Sequence, residues 1–201
     1  MRRPAWAALV VGGVLVAGVA AAEIEEGATV ARVAERVDSS GAPTIDGCPI
    51  FPTDNAWNQR VDAAPLRSDS DAIIARIQSI GGTRLHPDFG ENPNYGIPYV
   101  VVDPDQPEVP IDYQAYGDES DPGPFPIPLD APVEGGSDAT GDRHVLVLRS
   151  GTCELFELYR AFRAGAGWEA DSGARFDLTS NALRPLGWTS ADAAGLPILP
   201  G

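Results

Sequence analysis

Proline stands at alternate positions in Asp121-Pro-Gly-Pro-Phe-Pro-Ile-Pro128, at the centre of a Pro-, Gly- and Asp-rich stretch from Tyr116 to Gly141. Each proline lacks an amide donor and fixes φ, so the stretch is excluded from helices and central strands. It reads as extended loop or polyproline II. Loops this long are uncommon in compact domains and are often functional. With 22 Gly and 19 Pro among 201 residues, the remaining chain is also rich in turns.

Charge removes several classes of function. The chain carries 14 basic and 29 acidic side chains, a net charge of −15. Such a surface repels phosphate and anionic lipid, so neither a nucleic acid nor a charged membrane face is expected as partner. Every basic side chain is Arg. Chemistry that needs a Schiff-base lysine or a P-loop lysine is therefore excluded.

Met1 to Ala22 has the pattern of a secretory signal peptide. Arg2 and Arg3 precede an apolar run, and Ala20-Ala21-Ala22 supplies the small residues of a cleavage site. The run is shorter than the roughly 20 apolar residues a spanning helix needs. Cleavage then leaves no transmembrane span, and the location is secreted or extracellular, with the cell envelope as the alternative. Residues 23–47 read as a flexible tether and 48–201 as a single β-rich domain. Two cysteines outside the cytoplasm favour a Cys48–Cys153 disulfide.

One helix is legible. Ile73, Ile74, Ile77 and Ile80 form an apolar face, preceded by Ser68-Asp-Ser-Asp71 as capping residues and ended by Gly81-Gly82. After it the pattern is β. Ile97–Asp103 and Val109–Tyr113 read as strands, and Phe176-Asp-Leu as a further short one. His144–Arg149 and Cys153–Tyr159 form the best hairpin, turning at Ser150-Gly151-Thr152. Trp57 is expected to be a buried aromatic in a turn. Thr189-Ser-Ala-Asp192 has capping-box spacing and suggests a short helical turn. The fold class is α+β and β-rich: an antiparallel sheet or small β-sandwich, one amphipathic helix packed on it, and long Pro/Gly-rich loops.

Three constellations bear on chemistry. Asp142 and His144 open one hairpin strand and Glu157 lies on the other, a set suited to acid/base catalysis. A two-residue loop puts His144 and Glu157 on one face, and a three-residue loop separates them. Asp118, Glu119 and Asp121, with Glu134 downstream, offer oxygen ligands for Ca²⁺, the one cofactor the sequence suggests. Trp168, Trp188, Asn181 and Arg184, with Tyr95 and Tyr159, would suit stacking and hydrogen bonding to a sugar. His86 with His144 is a weaker two-His metal pair. No nucleophile elbow is present.

Several motifs are distinctive. They are Cys48-Pro-Ile-Phe-Pro52, Asp54-Asn-Ala-Trp-Asn58, Gly96-Ile-Pro-Tyr-Val-Val-Val102, Asp118-Glu-Ser-Asp-Pro-Gly-Pro-Phe-Pro-Ile-Pro128 and Gly141-Asp-Arg-His-Val-Leu-Val147. Glu157-Leu-Tyr159 and the run from Ser180 to Gly201 complete the set. On these the chain resembles a group of secreted bacterial proteins of no established function, over about residues 46 to 201. The resemblance brings no catalytic roles. It implies strand-rich sequence beyond Gly201, and hence a domain truncated at its C-terminus. The expectation is an extracellular protein that acts on or binds polysaccharide, with enzyme activity left open. The alternative is a non-catalytic envelope or matrix domain.

Overall fold

A computed structural model describes residues 36–37, 41–82, 84 and 96–200. These residues belong to one compact unit. The signal-peptide reading, His86 and Tyr95 lie outside the described residues, as does most of the tether.

Ten strands and one α-helix are present among them. Strands β1 (Arg36–Val37), β2 (Pro43–Ile45) and β3 (Cys48–Pro49) form a small antiparallel sheet. Part of the expected tether is thus folded: Ala42, Thr44 and Ile45 are buried. The central sheet has the order β10 (Ser172–Asp177), β7 (Glu154–Tyr159), β6 (Val145–Arg149), β4 (Tyr99–Val102). A third sheet has the order β5 (Ile111–Tyr113), β9 (Gly167–Ala170), β8 (Phe162–Ala164). The architecture is α+β and β-rich, as the sequence indicates.

The sheets are mixed as well as antiparallel. β4 pairs parallel with β6, and β5 parallel with β9. Parallel neighbours need a long crossover. The stretch between β4 and β6 supplies one, carrying β5 and the proline-rich segment. Gly167 is required where β5 and β9 meet, because a Cβ there would stand 2.2 Å from the Pro110 carbonyl oxygen.

The central sheet is buried on both faces. Alternation along β6 sends Val145 and Val147 to one side and Leu146 and Leu148 to the other. On the first side they meet Phe156, Leu158, Trp168 and Ala170. The proline-rich segment closes that side. Pro124, Pro126 and Pro128 alternate with Phe125, Ile127 and Leu129, and Phe125, Pro126 and Ile127 are fully buried. Phe125 packs on Phe156 with ring centroids 5.1 Å apart. It also exchanges two backbone hydrogen bonds with Val109. Expected as an extended loop of the kind that is often functional, this segment is a core element. On the second side, Ile45, Ile50 and Phe51 cover Leu148, Leu155 and Phe176. The Cys48–Cys153 disulfide ties the N-terminal sheet to the β6–β7 turn.

Helix α1 (Ser70–Ser79) forms where the isoleucines place it. Its C-terminus is a Schellman motif: Gly82 N–H donates to the Ile77 carbonyl, Gly81 N–H to that of Gln78, and Gly81 has φ of 105°. Asp69 is the N-cap residue but makes no capping bond, since its carboxylate is held by Arg67. The expected packing is not observed. No helix residue is buried, and Ile74 and Ile80 are 50% and 67% exposed. Trp57 likewise is 48% exposed rather than buried. The Asn58 side chain explains this locally. Its amide donates to the carbonyls of Ile50, Phe51 and Pro52, fixing a turn that aims the indole outward.

Two stability measurements follow from this arrangement. Reducing Cys48–Cys153, which closes 105 residues, is expected to lower unfolding free energy by about 4 kcal/mol in a urea titration. A loss under about 1 kcal/mol would contradict its role as the tie between the sheets. Ile77→Ser on the exposed face should change stability by less than about 0.5 kcal/mol, and a loss of about 2 kcal/mol would show that the face is covered.

Candidate functional site

The hairpin takes the register of the two-residue loop. Arg149 pairs with Glu154 and Leu146 with Glu157. Side chains directly opposite share a face, so Glu157 and His144 lie on the same side of the sheet. They do not form an acid/base pair there. Glu157 is fully buried. Its Oε1 accepts from the amides of Ile198 and Leu199 at 2.9 and 3.0 Å, and its Oε2 accepts from Ile198 at 3.0 Å. Burial pushes this carboxyl up to about 7 against the pull of the two amides. Asp192 adds to the rise and Arg184 opposes it. The residue sequence reasoning marked as a catalytic acid is thus sealed beneath residues 197–199.

His144 is equally engaged. Nδ1 lies 2.7 Å from Glu134 Oε2, and Nε2 lies 3.2 Å from the Ala191 carbonyl oxygen. Both neighbours are acceptors, so only the doubly protonated ring donates to both. The main chain reinforces the pair: Glu134 N–H donates to the His144 carbonyl, and His144 N–H to the Glu134 carboxylate. Asp142 is exposed, and its carbonyl accepts from the Arg160 amide.

Asp142 and His144 share a cavity of about 620 Å³ with Tyr116, Tyr159, Glu119 and Asp192. The Tyr159 ring stands 5.8 Å from the His144 ring. Thr189, Ser190, Ala191, Ala193 and Ile198 complete its wall, and the Ile198 amide donates to Glu157. Ser190 fixes the wall by accepting from the Asp192 amide and donating to the Leu196 carbonyl. Residues 191–195 form turns rather than the expected helical turn, because Asp192 bonds the Ala194 amide as an Asx turn. The sequence assigns no functional role to Tyr116, and marks Asp192 only as the end of a capping-box motif; a tyrosine inside a polar loop is the one signal for the former.

The acidic trio is dispersed. Asp121 pairs with Arg184, and its carboxylate also accepts from the Arg175 amide. Glu119 accepts from the Thr189 amide at 3.0 Å, while Asp118 is exposed. No three His, Cys, Asp or Glu side chains among the described residues converge as a metal site.

The predicted ligand set is also divided. Trp168 is 3% exposed and lies in the core, with its indole N–H unpaired. Arg184 is a structural hub. It donates to the Thr189 and Glu119 carbonyls as well as to Asp121, and sits 5.6 Å from the Trp188 ring centre. Asn181 joins Asp54 and Asn55 at 2.8 Å each, on the rim of a second cavity of about 310 Å³ that also holds Trp57. No family model, curated protein or solved structure matches the chain.

The Glu157 environment yields a pH dependence. Its folded value near 7 lies above an unfolded value near 4.5. The neutral carboxyl therefore contributes fully below pH 4.5, and that contribution is lost as pH rises to 7. The loss amounts to about 3 kcal/mol. Relative to Glu157→Gln, wild-type stability should fall by that amount across this window in urea melts. A difference that stays constant with pH would contradict the buried assignment.

Proposed function

We propose that this is an extracellular polysaccharide-binding protein whose sugar site is the cavity between Tyr116 and Tyr159. The observation that carries this reading is the pairing of two tyrosine rings with carboxylates and hydroxyls around an open space of about 620 Å³. Sugars present apolar C–H faces and a rim of hydroxyls. Aromatic rings suit the faces, and carboxylates with Thr and Ser hydroxyls suit the rim. The volume falls within the roughly 300–1,000 Å³ usual for ligand sites.

Binding is favoured over turnover by the placement of Glu157. A general acid must come within hydrogen-bond reach of its substrate. Glu157 is fully buried, and both its oxygens are occupied by residues 198 and 199. An extracellular setting is supported by the disulfide and by the signal-peptide pattern at the N-terminus. Among the described residues no helix is long and apolar enough to cross a membrane. The structural-domain alternative draws support from one feature, the uncovered isoleucine face of α1.

The test is affinity electrophoresis and calorimetry against neutral, acidic and amino polysaccharides. Tyr116 is 48% exposed, so Tyr116→Ala should leave the melt unchanged. It should weaken binding to the best polysaccharide about tenfold, the loss of one stacking contact. Absence of binding across the panel, or binding indifferent to Tyr116→Ala, would overturn the reading.

A further inference from the structure

The electrostatics of the Tyr116–Tyr159 cavity select among sugars. Its lining carries three carboxylates, Glu119, Asp142 and Asp192. Glu119 and Asp192 each accept from one backbone amide, of Thr189 and Ala194, at 3.0 Å. An amide dipole satisfies an oxygen without cancelling its charge. Asp142 makes no side-chain hydrogen bond or ion pair among the described residues.

The arginines nearby are committed elsewhere: Arg184 is held by Asp121, Arg160 lies 3.4 Å from Asp171, and Arg143 donates to the carbonyls of Ser137, Ala139 and Ala161, while the His144 ring meets Glu134. No arginine lines the cavity, and none of its three carboxylates forms an ion pair among the described residues, on a chain whose net charge is −15. Field focusing in a recess strengthens the attraction for a cation above that of a flat surface. The two tyrosine faces add to it, because an aromatic ring attracts an ammonium group by its quadrupole. Uronate, sulfate and phosphate sugars are repelled by the same groups.

Resting on the polysaccharide reading, we infer that the occupant is a polymer of unacetylated hexosamine, a sugar chain carrying protonated amines. The rings hold the pyranose face while the carboxylates receive the ammonium. The cavity and its tyrosines make the site, and the charge decides which sugar fills it.

Three β-1,4-linked hexamers that differ only at C2 test this: glucosamine, N-acetylglucosamine and glucose. The intact protein is titrated with each by calorimetry at pH 5.5, at low and high salt. The glucosamine hexamer is expected to bind about tenfold more tightly than the glucose hexamer, with the advantage shrinking in high salt. Asp142→Asn, at an exposed position, should weaken only the glucosamine hexamer, by about threefold, with an unchanged melt. Tyr116→Ala should weaken all three. Equal binding of the three, indifferent to Asp142→Asn, overturns the inference and leaves the polysaccharide reading standing. Glucosamine binding that ignores Tyr116→Ala and vanishes in salt marks adhesion to an acidic surface and also overturns it. No binding by any hexamer removes both.

Discussion

The carboxyl group of Glu157 holds residues 197–199 onto the central sheet. β6 and β7 are apolar on both faces, so each face needs a cover. One cover is the third sheet with the proline-rich segment. The other is divided between the N-terminal sheet and irregular C-terminal chain. Irregular chain brings unpaired amides with it, and a buried amide without an acceptor is costly. Glu157 accepts from two of them at once. It thereby fixes Ile198 as a wall of one cavity and sets Leu196 and Pro197 beside the other. Both recesses depend on this one polar contact in an apolar layer.

Arginine performs the comparable task elsewhere. Arg184 gathers Asp121, the Glu119 carbonyl and the Thr189 carbonyl, so the loop after β5 and the segment after β10 are fastened together. Arg143 does the same with the carbonyls of Ser137, Ala139 and Ala161, its guanidinium lying 4.2 Å over Phe162. A planar fork with several donors can satisfy several carbonyls at fixed angles, which a lysine cannot. A chain this rich in loops, with arginine as its only strong base, uses that geometry to hold them. No arginine is left to line the Tyr116–Tyr159 cavity.

Where sequence reasoning succeeded, a local pattern was sufficient. The hairpin, the Tyr99–Val102 strand and the C-terminal end of α1 follow from alternation, from β-branched residues and from glycine at C′. Where it failed, the outcome turned on partners distant in sequence. The isoleucines of α1 make a helix, but nothing local says what lies against them. The proline-rich segment could be denied a ladder from sequence. Its burial depends on Phe125 and Ile127 meeting Phe156 and Val147, which the β6–β7 hairpin presents.

The candidate site divides in the same way. Composition and spacing alone determined a β-rich fold, an acidic arginine-only chain, a cysteine pair apt for bridging and the residues near which polar chemistry gathers. Tertiary structure decided their roles. Glu157 and His144 share a face, yet each is taken by a separate partner. Asp121 and Arg184, read as parts of two different sites, neutralise each other. Tyr116, unremarkable in the sequence, and Asp192, legible there only as part of a capping-box motif, line one cavity. The physical reason is that a side chain's chemistry is set by burial and by its hydrogen-bond partners. For Ile198 on Glu157 and Asp121 on Arg184 those partners lie 41 and 63 residues away.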